Sequence, residues 1–307
     1  MKAGIAIHGG AGTIEKSSLT PELYNMYTTA LNKCIEAGYK VIEQGGSAMD
    51  AVSAAVIALE NEPVFNAGCG AVFTHGGGHE MDASIMDGSN LMAGGVTCVK
   101  NIKNPIILAR EVMEKSGFVL LSGAGAEEFA RTQNIAFEPD EYFYNEVRYQ
   151  QYLKIRDSDY MQLDHNVNLK KGTVGAVALD KHGNLAAATS TGGMTNKRYN
   201  RIGDTPIIGC GTYANNNTCA ISCTGHGEYF IRNVVAYDVS CLMEYKGLSL
   251  QEACNIVVND KLVKLGGEGG LIAIDAAGNI ALPFNSEGMY RANQSIGAER
   301  VIAVHEL

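Results

Sequence analysis

Proline is scarce in this sequence, 6 residues in 307, while glycine is abundant at 36. That balance argues for tight turns and close backbone approaches rather than flexible linkers. Basic charge is also short: 24 Lys and Arg against 33 Asp and Glu leave a net charge of −9. No clustered Lys/Arg stripe offsets it, which excludes nucleic acid and anionic lipid as partners held by charge. Long apolar runs are missing. The opening run stops at His8, too short for a signal peptide, and nothing later reaches membrane-spanning length. The expected location is the cytoplasm. Eight cysteines without an export signal then read as buried thiols, not as a disulfide framework. Cys219 and Cys223 fall four apart on one face of a strand, and no second ligand pair stands near them to make a zinc site.

What is present fits a soluble globular chain: 46% hydrophobic and 19% charged residues, with length enough for a sizeable core. Ala3 to Ile7 reads as a buried strand entering a glycine turn at Gly9 to Gly12. Thr20-Pro21 opens a helix of about six turns, and Ser47 opens a second with Val52, Ala55, Val56 and Leu59 inward. Segments 71–74 and 81–86 read as a hairpin around His75 to Glu80, a solvated loop in which His75, His79 and Glu80 find no fourth metal ligand. A strand over 91–99, a helix from Asn104-Pro105 through Glu114, a strand at 118–121 and a short helix at 126–131 follow. From Glu138 to Lys171 the sequence turns polar and tyrosine-rich, with no sustained period, as an exposed connecting segment would. Beyond it come a hairpin from Thr173 to Thr189 turned at Asp180 to Asn184, helices over 229–245 and 250–265, and a second hairpin turned at Asp275 to Asn279. Strands grouped around paired helices suggest sheets between helical layers.

The junction Gly172-Thr173-Val174-Gly175 carries the most chemistry. Cleavage before Thr173 would give one residue both a hydroxyl and an α-amine, whose reference pKa of about 7.7 to 8.0 lets it act as base near neutrality. A Gly-Thr strand entry is ordinary by itself. Around it stand, in order, His8-Gly9-Gly10-Ala11-Gly12, Phe65-Asn66-Ala67-Gly68-Cys69-Gly70, Met81 to Gly88, Thr189-Ser190-Thr191-Gly192-Gly193, Arg201-Ile202-Gly203-Asp204-Thr205-Pro206, Gly211 to Asn215 and Cys223-Thr224-Gly225-His226-Gly227-Glu228. This ordered set, from residue 3 to at least residue 275, closely resembles the plant-type L-asparaginases, or isoaspartyl peptidases, of the N-terminal nucleophile hydrolase superfamily.

The resemblance implies an α+β fold, a four-layer αββα sandwich, as one structural domain cut into residues 1–172 (an α subunit that includes the polar linker, about 138–172) and residues 173–307 (a β subunit). It implies cleavage between Gly172 and Thr173, with Thr173 as nucleophile and Thr191, Thr224, Gly225 and Asn66 beside it. Arg201 and Asp204 would hold the substrate's α-carboxylate and α-amine, with Gly225 and Gly227 letting the backbone come close. Substrates would be L-asparagine and β-aspartyl dipeptides, and a homodimer of processed αβ units is expected. No organic cofactor is needed. The loop after the second helix resembles the family's sodium loop, which would use the carbonyls of Leu59, Glu60, Glu62, Phe65, Ala67 and Cys69. Glycosylasparaginase is the neighbouring alternative, disfavoured because Gly precedes Thr173 and Gly192-Gly193 follows Thr191. A nucleotide-binding reading of His8 to Thr13 lacks the Gly-Lys-Ser/Thr ending and the dinucleotide glycine spacing.

Overall fold

The computed structural model describes residues 3–12, 14, 16–158 and 172–306. Strand β1 (Gly4–Gly12) does not turn at its glycines but runs through them. Its register slips between His8 and Gly10 and Gly10 adopts φ +111°, so the feature is a bulge. The glycines are there for closeness: a Cβ on Gly9 would stand 2.3 Å from the Phe65 ring, and one on Gly10 2.5 Å from the Gly172 nitrogen. Helix α1 (Pro21–Glu43) starts as its capping signals require, with the Leu23 N–H donating to the Thr20 side chain, and buries Tyr27, Leu31, Cys34 and Ile35. Ser47 caps α2 (Ala48–Glu60) through the Asp50 N–H.

The expected hairpin at 71–86 is half absent. Only β2 (Met81–Asp87) is a strand, because the polar backbone groups of 72–75 are engaged elsewhere. Val72 N–H donates to the Asn66 side chain, Asn196 N–H to the Phe73 carbonyl, and His75 N–H to the Lys197 carbonyl. Next come β3 (Ala93–Val99), α3 (Pro105–Glu111), which continues as π-helical turns over Val112–Ser116, β4 (Leu120–Ser122) and α4 (Gly123–Thr132). The polar stretch is not all extended: α5 (Asp140–Phe143) and α6 (Glu146–Ile155) form within it. Their apolar face is built from tyrosines, which hid the helical period. Tyr144, Tyr149 and Tyr152 surround the Phe73 ring at centroid distances of 6.1, 5.5 and 5.7 Å. The rest of the expected linker, 159–171, lies outside the described residues.

Strands β5 (Val174–Leu179) and β6 (Leu185–Thr191) form the expected hairpin, and Asp180 Oδ1 accepts from the N–H groups of His182 and Asn184 to shape its turn. Then follow β7 (Thr212–Ala214), β8 (Cys219–Gly225), α7 (Gly227–Asn233) and α8 (Val235–Lys246). The expected single helix breaks at Val234, a β-branched residue at φ +50°, for which the sequence offers no glycine or proline as warning. α9 (Leu250–Asn255) passes through π-helical turns into α10 (Val263–Leu265). β9 (Gly269–Asp275) and β10 (Ile280–Ala281) make the second hairpin, and β11 (Gly288–Ser295) and β12 (Val301–Ala303), not foreseen, complete the chain.

Two sheets result, one ordered β12-β11-β1-β5-β6-β2-β3-β4 and the other β10-β9-β8-β7. Alternation along the strands of the larger sheet sorts its two faces. Ile5, Ile7, Val174, Ala176 and Ala188 pack with Leu31, Ile35, Val52 and Val56 of α1 and α2. Ala6, Val177 and Ala187 on the opposite face pack with Ile221 and Ile272 of the smaller sheet, in a cluster that continues to Val239 of α8 and Ala253 of α9. Covered on both faces, β5 is buried at every position, which is why its sequence lacks a polar alternation.

Candidate active site

The site lies at one end of the gap between the sheets. Thr173 stands just before β5, Thr191 ends β6, and Asp82, opposite Thr191 in register, is the second residue of the neighbouring strand β2. The Thr173 hydroxyl donates to Thr191 Oγ1 at 3.1 Å, and the Gly193 N–H donates to the same oxygen at 3.0 Å. Among the described residues no carboxylate or imidazole hydrogen-bonds the Thr173 hydroxyl. Thr224 reaches in from the smaller sheet. Its Oγ1 accepts the Ala11 N–H at 3.2 Å and lies 2.7 Å from where a Gly172 Cβ would be. The Thr224 hydroxyl therefore faces the Gly172-Thr173 junction.

Asn66, Gly172, Thr173, Thr191, Arg201, Asp204 and Gly225 line a single cleft of about 30 Å³. That is room for about one water, and Gly172 is one of the residues around it. Thr224 and Gly227 flank the cleft without lining it. Asn66 acts as a brace: its Nδ2 donates to the Gly193 carbonyl at 2.7 Å and its Oδ1 accepts from Val72, tying the loop after β6 to the loop after α2.

Arg201 and Asp204 share the cleft but are not each other's partners. Arg201 makes a bidentate pair with Glu228, Nε to Oε1 at 2.8 Å and Nη2 to Oε2 at 2.7 Å. Glu228, on the first turn of α7, is not marked as a site residue by the motifs, and its only signal in the sequence is a charge beside Thr224-Gly225. Gly227 permits the approach, because a Cβ there would stand 2.9 Å from both Arg201 Nη2 and the Asp204 nitrogen. Asp204 is buried, and its Oδ2 has no hydrogen-bond partner among the described residues. Burial pushes its carboxyl up to about 7, opposed by a hydrogen bond from its own backbone and by Arg201, with Glu228 and Asp82 adding to the rise. A buried, unpartnered acid oxygen beside a guanidinium is suited to receive an ammonium group.

Other buried groups brace the site. Burial pushes the His8 imidazole down to about 3, against a smaller upward pull from the Thr173 backbone. The ring is therefore neutral. Burial pushes Glu60 up to about 8; as a neutral acid it joins α2 to β6 through Ser190 (2.6 Å) and to α3 through the Ile106 N–H (3.0 Å). The loop after α2 is wound tightly around its own carbonyls. A Cβ on Gly68, at φ +52°, would fall 2.2 Å from the Glu60 oxygen, and one on Gly70 2.0 Å from the Phe65 oxygen. Neutral carbonyl oxygens are the donor type a hard cation takes, and those of Leu59, Glu62 and Ala67, each accepting a turn hydrogen bond, retain a second lone pair. His75, His79 and Glu80 line one open pocket, but among the described residues no group of three or more His, Cys, Asp or Glu side chains could hold a metal ion. Nor is any helix among them long and apolar enough to cross a membrane.

The sequence model of the Asparaginase family matches residues 1–303. The chain is 55% identical over 296 residues, 95% of each chain, to a protein of Salmonella typhimurium LT2 named isoaspartyl peptidase. It is 54% identical to the isoaspartyl peptidase of Escherichia coli K12, over 95% of this chain and 92% of that one. A probable isoaspartyl peptidase/L-asparaginase 2 of Arabidopsis thaliana is 39% identical over 94% of each chain. With a matched profile over nearly its whole length and close relatives in bacteria and a plant, the chain belongs to the asparaginase family that includes the isoaspartyl peptidases.

Proposed function

We propose that this amidohydrolase is activated by its own cleavage and hydrolyses L-asparagine and β-aspartyl dipeptides to L-aspartate. The observation that carries this reading is the Thr173 hydroxyl bonded to Thr191, with the Thr224 hydroxyl beside Gly172, in a cleft that also holds Arg201 and Asp204. In the uncut chain Thr173 Oγ attacks the Gly172 carbonyl carbon and the peptide bond shifts to an ester. Water then cleaves the ester, leaving a Gly172 carboxylate and a Thr173 α-amine. The same hydroxyl now has a base of its own, with an ordinary pKa of about 7.7 to 8.0. Arg201 takes the substrate's α-carboxylate through the N–H groups that Glu228 leaves free, and ionised Asp204 takes its ammonium. Thr173 Oγ attacks the β-carbonyl carbon, and the oxyanion is met by the Thr224 hydroxyl and the Gly225 N–H. Ammonia or an amino acid leaves with the proton taken from Thr173, and water releases aspartate.

The finer architecture follows the same family reading: helices, two sheets and helices stacked as an αββα sandwich, with residues 1–172 and 173–307 as two subunits of one domain and two such units pairing. The carbonyls of Leu59, Glu60, Glu62, Phe65, Ala67 and Cys69 would hold a sodium ion whose part is to fix the Asn66 loop. Intact mass and N-terminal sequencing after incubation, followed by assays on asparagine and β-aspartyl-leucine, test the proposal. Two fragments starting at Met1 and Thr173 are expected, and none from Thr173→Ala. A fully active uncut chain would refute it.

A further inference from the structure

Behind the site, one step deeper between the sheets, runs a second row of polar side chains. His8, Gly175, Thr189 and Ser84 are in register across β1, β5, β6 and β2, and Ser222 and Thr212 face them from β8 and β7. All five side chains are fully buried, and they connect by crossing the gap repeatedly. His8 Nε2 meets Ser222 Oγ at 2.9 Å, Ser222 meets Thr189 Oγ1 at 2.7 Å, and Thr212 meets Thr189 at 2.6 Å. Ser84 meets Thr212 at 2.8 Å and donates to the Thr205 carbonyl at 2.6 Å. Gly175 makes the crossing possible: a Cβ there would stand 1.9 Å from Ser222 Oγ and 2.6 Å from His8 Nε2.

Four of these positions are two residues from one at or beside the site: Gly175 from Thr173, Thr189 from Thr191, Ser84 from Asp82, Ser222 from Thr224. Two residues along a strand keep the same face and advance about 7 Å, so the buried row lies directly under the site. Its ends reach both halves of the chemistry. His8 lies against the Thr173 backbone, although its Nδ1 makes no well-formed hydrogen bond. Ser84 holds the carbonyl of Thr205, the residue next to Asp204. Buried hydroxyls that served only packing would be replaceable by apolar groups with little loss. A continuous chain across two sheets instead fixes their separation, since each link is satisfied only at one spacing.

We propose that the row His8, Ser222, Thr189, Thr212 and Ser84 is a positioning device for amide hydrolysis, which sets the distance between the Thr173 hydroxyl and the Asp204 ammonium subsite. The inference rests on the amidohydrolase reading above. Thr189→Val removes the central hydroxyl at constant shape, and Thr189→Ser restores it. On processed enzyme, Thr189→Val should lower kcat/KM for asparagine by about 10- to 100-fold, the scale of a misplacement of about 1 Å, and Thr189→Ser should recover most of the loss. Ser84→Ala, at the Asp204 end, should act mainly by raising KM. A folded Thr189→Val chain that stays uncut while Thr189→Ser is cut supports the same device, because cleavage also depends on where Thr173 is held. If Thr189→Val does not fold, Ser84→Ala decides. Wild-type kcat and KM in the variants, whatever their melting temperature, would overturn the inference, as would equal impairment of the Val and Ser variants. A wild-type chain inactive on asparagine and β-aspartyl-leucine would instead sink the reading beneath it.

Discussion

If Asp204 takes the substrate ammonium as proposed, it connects stability to substrate binding, in opposite directions. Its carboxyl is raised from 3.8 to about 7, so the folded chain holds that proton more tightly than the unfolded chain does. The associated stability is fully present below pH 4 and is lost as pH rises towards 7, while the unfolded chain ionises and the folded one resists. About three pH units at 1.36 kcal/mol each give a loss of about 4 kcal/mol, complete above pH 7. Asparagine replaces the acid without titrating. Asp204→Asn should therefore match the wild type near pH 4, apart from a constant offset, and become steadily more stable than it up to about pH 7, after which the difference levels. Urea unfolding of both chains from pH 4 to 8 measures this directly. Function runs the other way: an ammonium group selects the ionised acid, so substrate capture by the wild type should weaken about tenfold per unit below pH 7. Aspartate binding at pH 7 should also release about half a proton, detectable by calorimetry in buffers of different ionisation enthalpy. A stability difference that does not change with pH, together with aspartate binding that releases no proton, would refute the assignment of Asp204 as a strained ammonium site.

Glu228→Gln removes both the bidentate partner of Arg201 and a negative charge that raises Asp204. The acid limb of kcat/KM should move to lower pH, and KM should rise by up to about fivefold, the limit for a half-exposed pair worth up to ~1 kcal/mol; an unmoved limb would show that Glu228 is electrically remote from Asp204. Gly68→Ala places a Cβ against the Glu60 carbonyl at a positive φ and should destabilise by about 1 to 3 kcal/mol. It should also abolish the rise in melting temperature that the wild type is expected to show when sodium chloride replaces choline chloride. A wild type indifferent to that exchange would remove the cation from the loop.

The helices with ordinary capping signals, α1 and α2, and the hairpins turned at Asp180 and Asp275 were legible because their determinants are local: a cap, a proline, an Asx turn. The elements that were not legible owe their form to distant partners. Gly9 and Gly10 carry a strong turn signal, yet they are strand residues because Phe65 and Gly172 press against them. Segment 71–74 is extended and apolar, yet joins no sheet because Asn66 and the 196–197 backbone engage its groups. α6 was hidden by an apolar face made of tyrosines, and the Val234 break carries no mark at all.

The site shows the same division between local and distant causes. Family motifs point to Thr173, Thr191, Asn66, Arg201, Asp204 and Gly225, and the fold brings these six residues into one cleft. The motifs could not show how the charges pair. Arg201 and Asp204 are three apart in sequence and invite a salt bridge, but a bridge would neutralise both groups that the proposed zwitterionic substrate would need. The fold avoids this by giving Arg201 to Glu228, on the first turn of α7, and leaving Asp204 buried with a bare oxygen. Glu228 thus holds the guanidinium, and in the proposed function Asp204 is matched only when an ammonium binds. On the proposed reading, the instability of the empty site and the selectivity for an amino acid head group would have one physical origin, the burial of an acid with one oxygen left unpartnered.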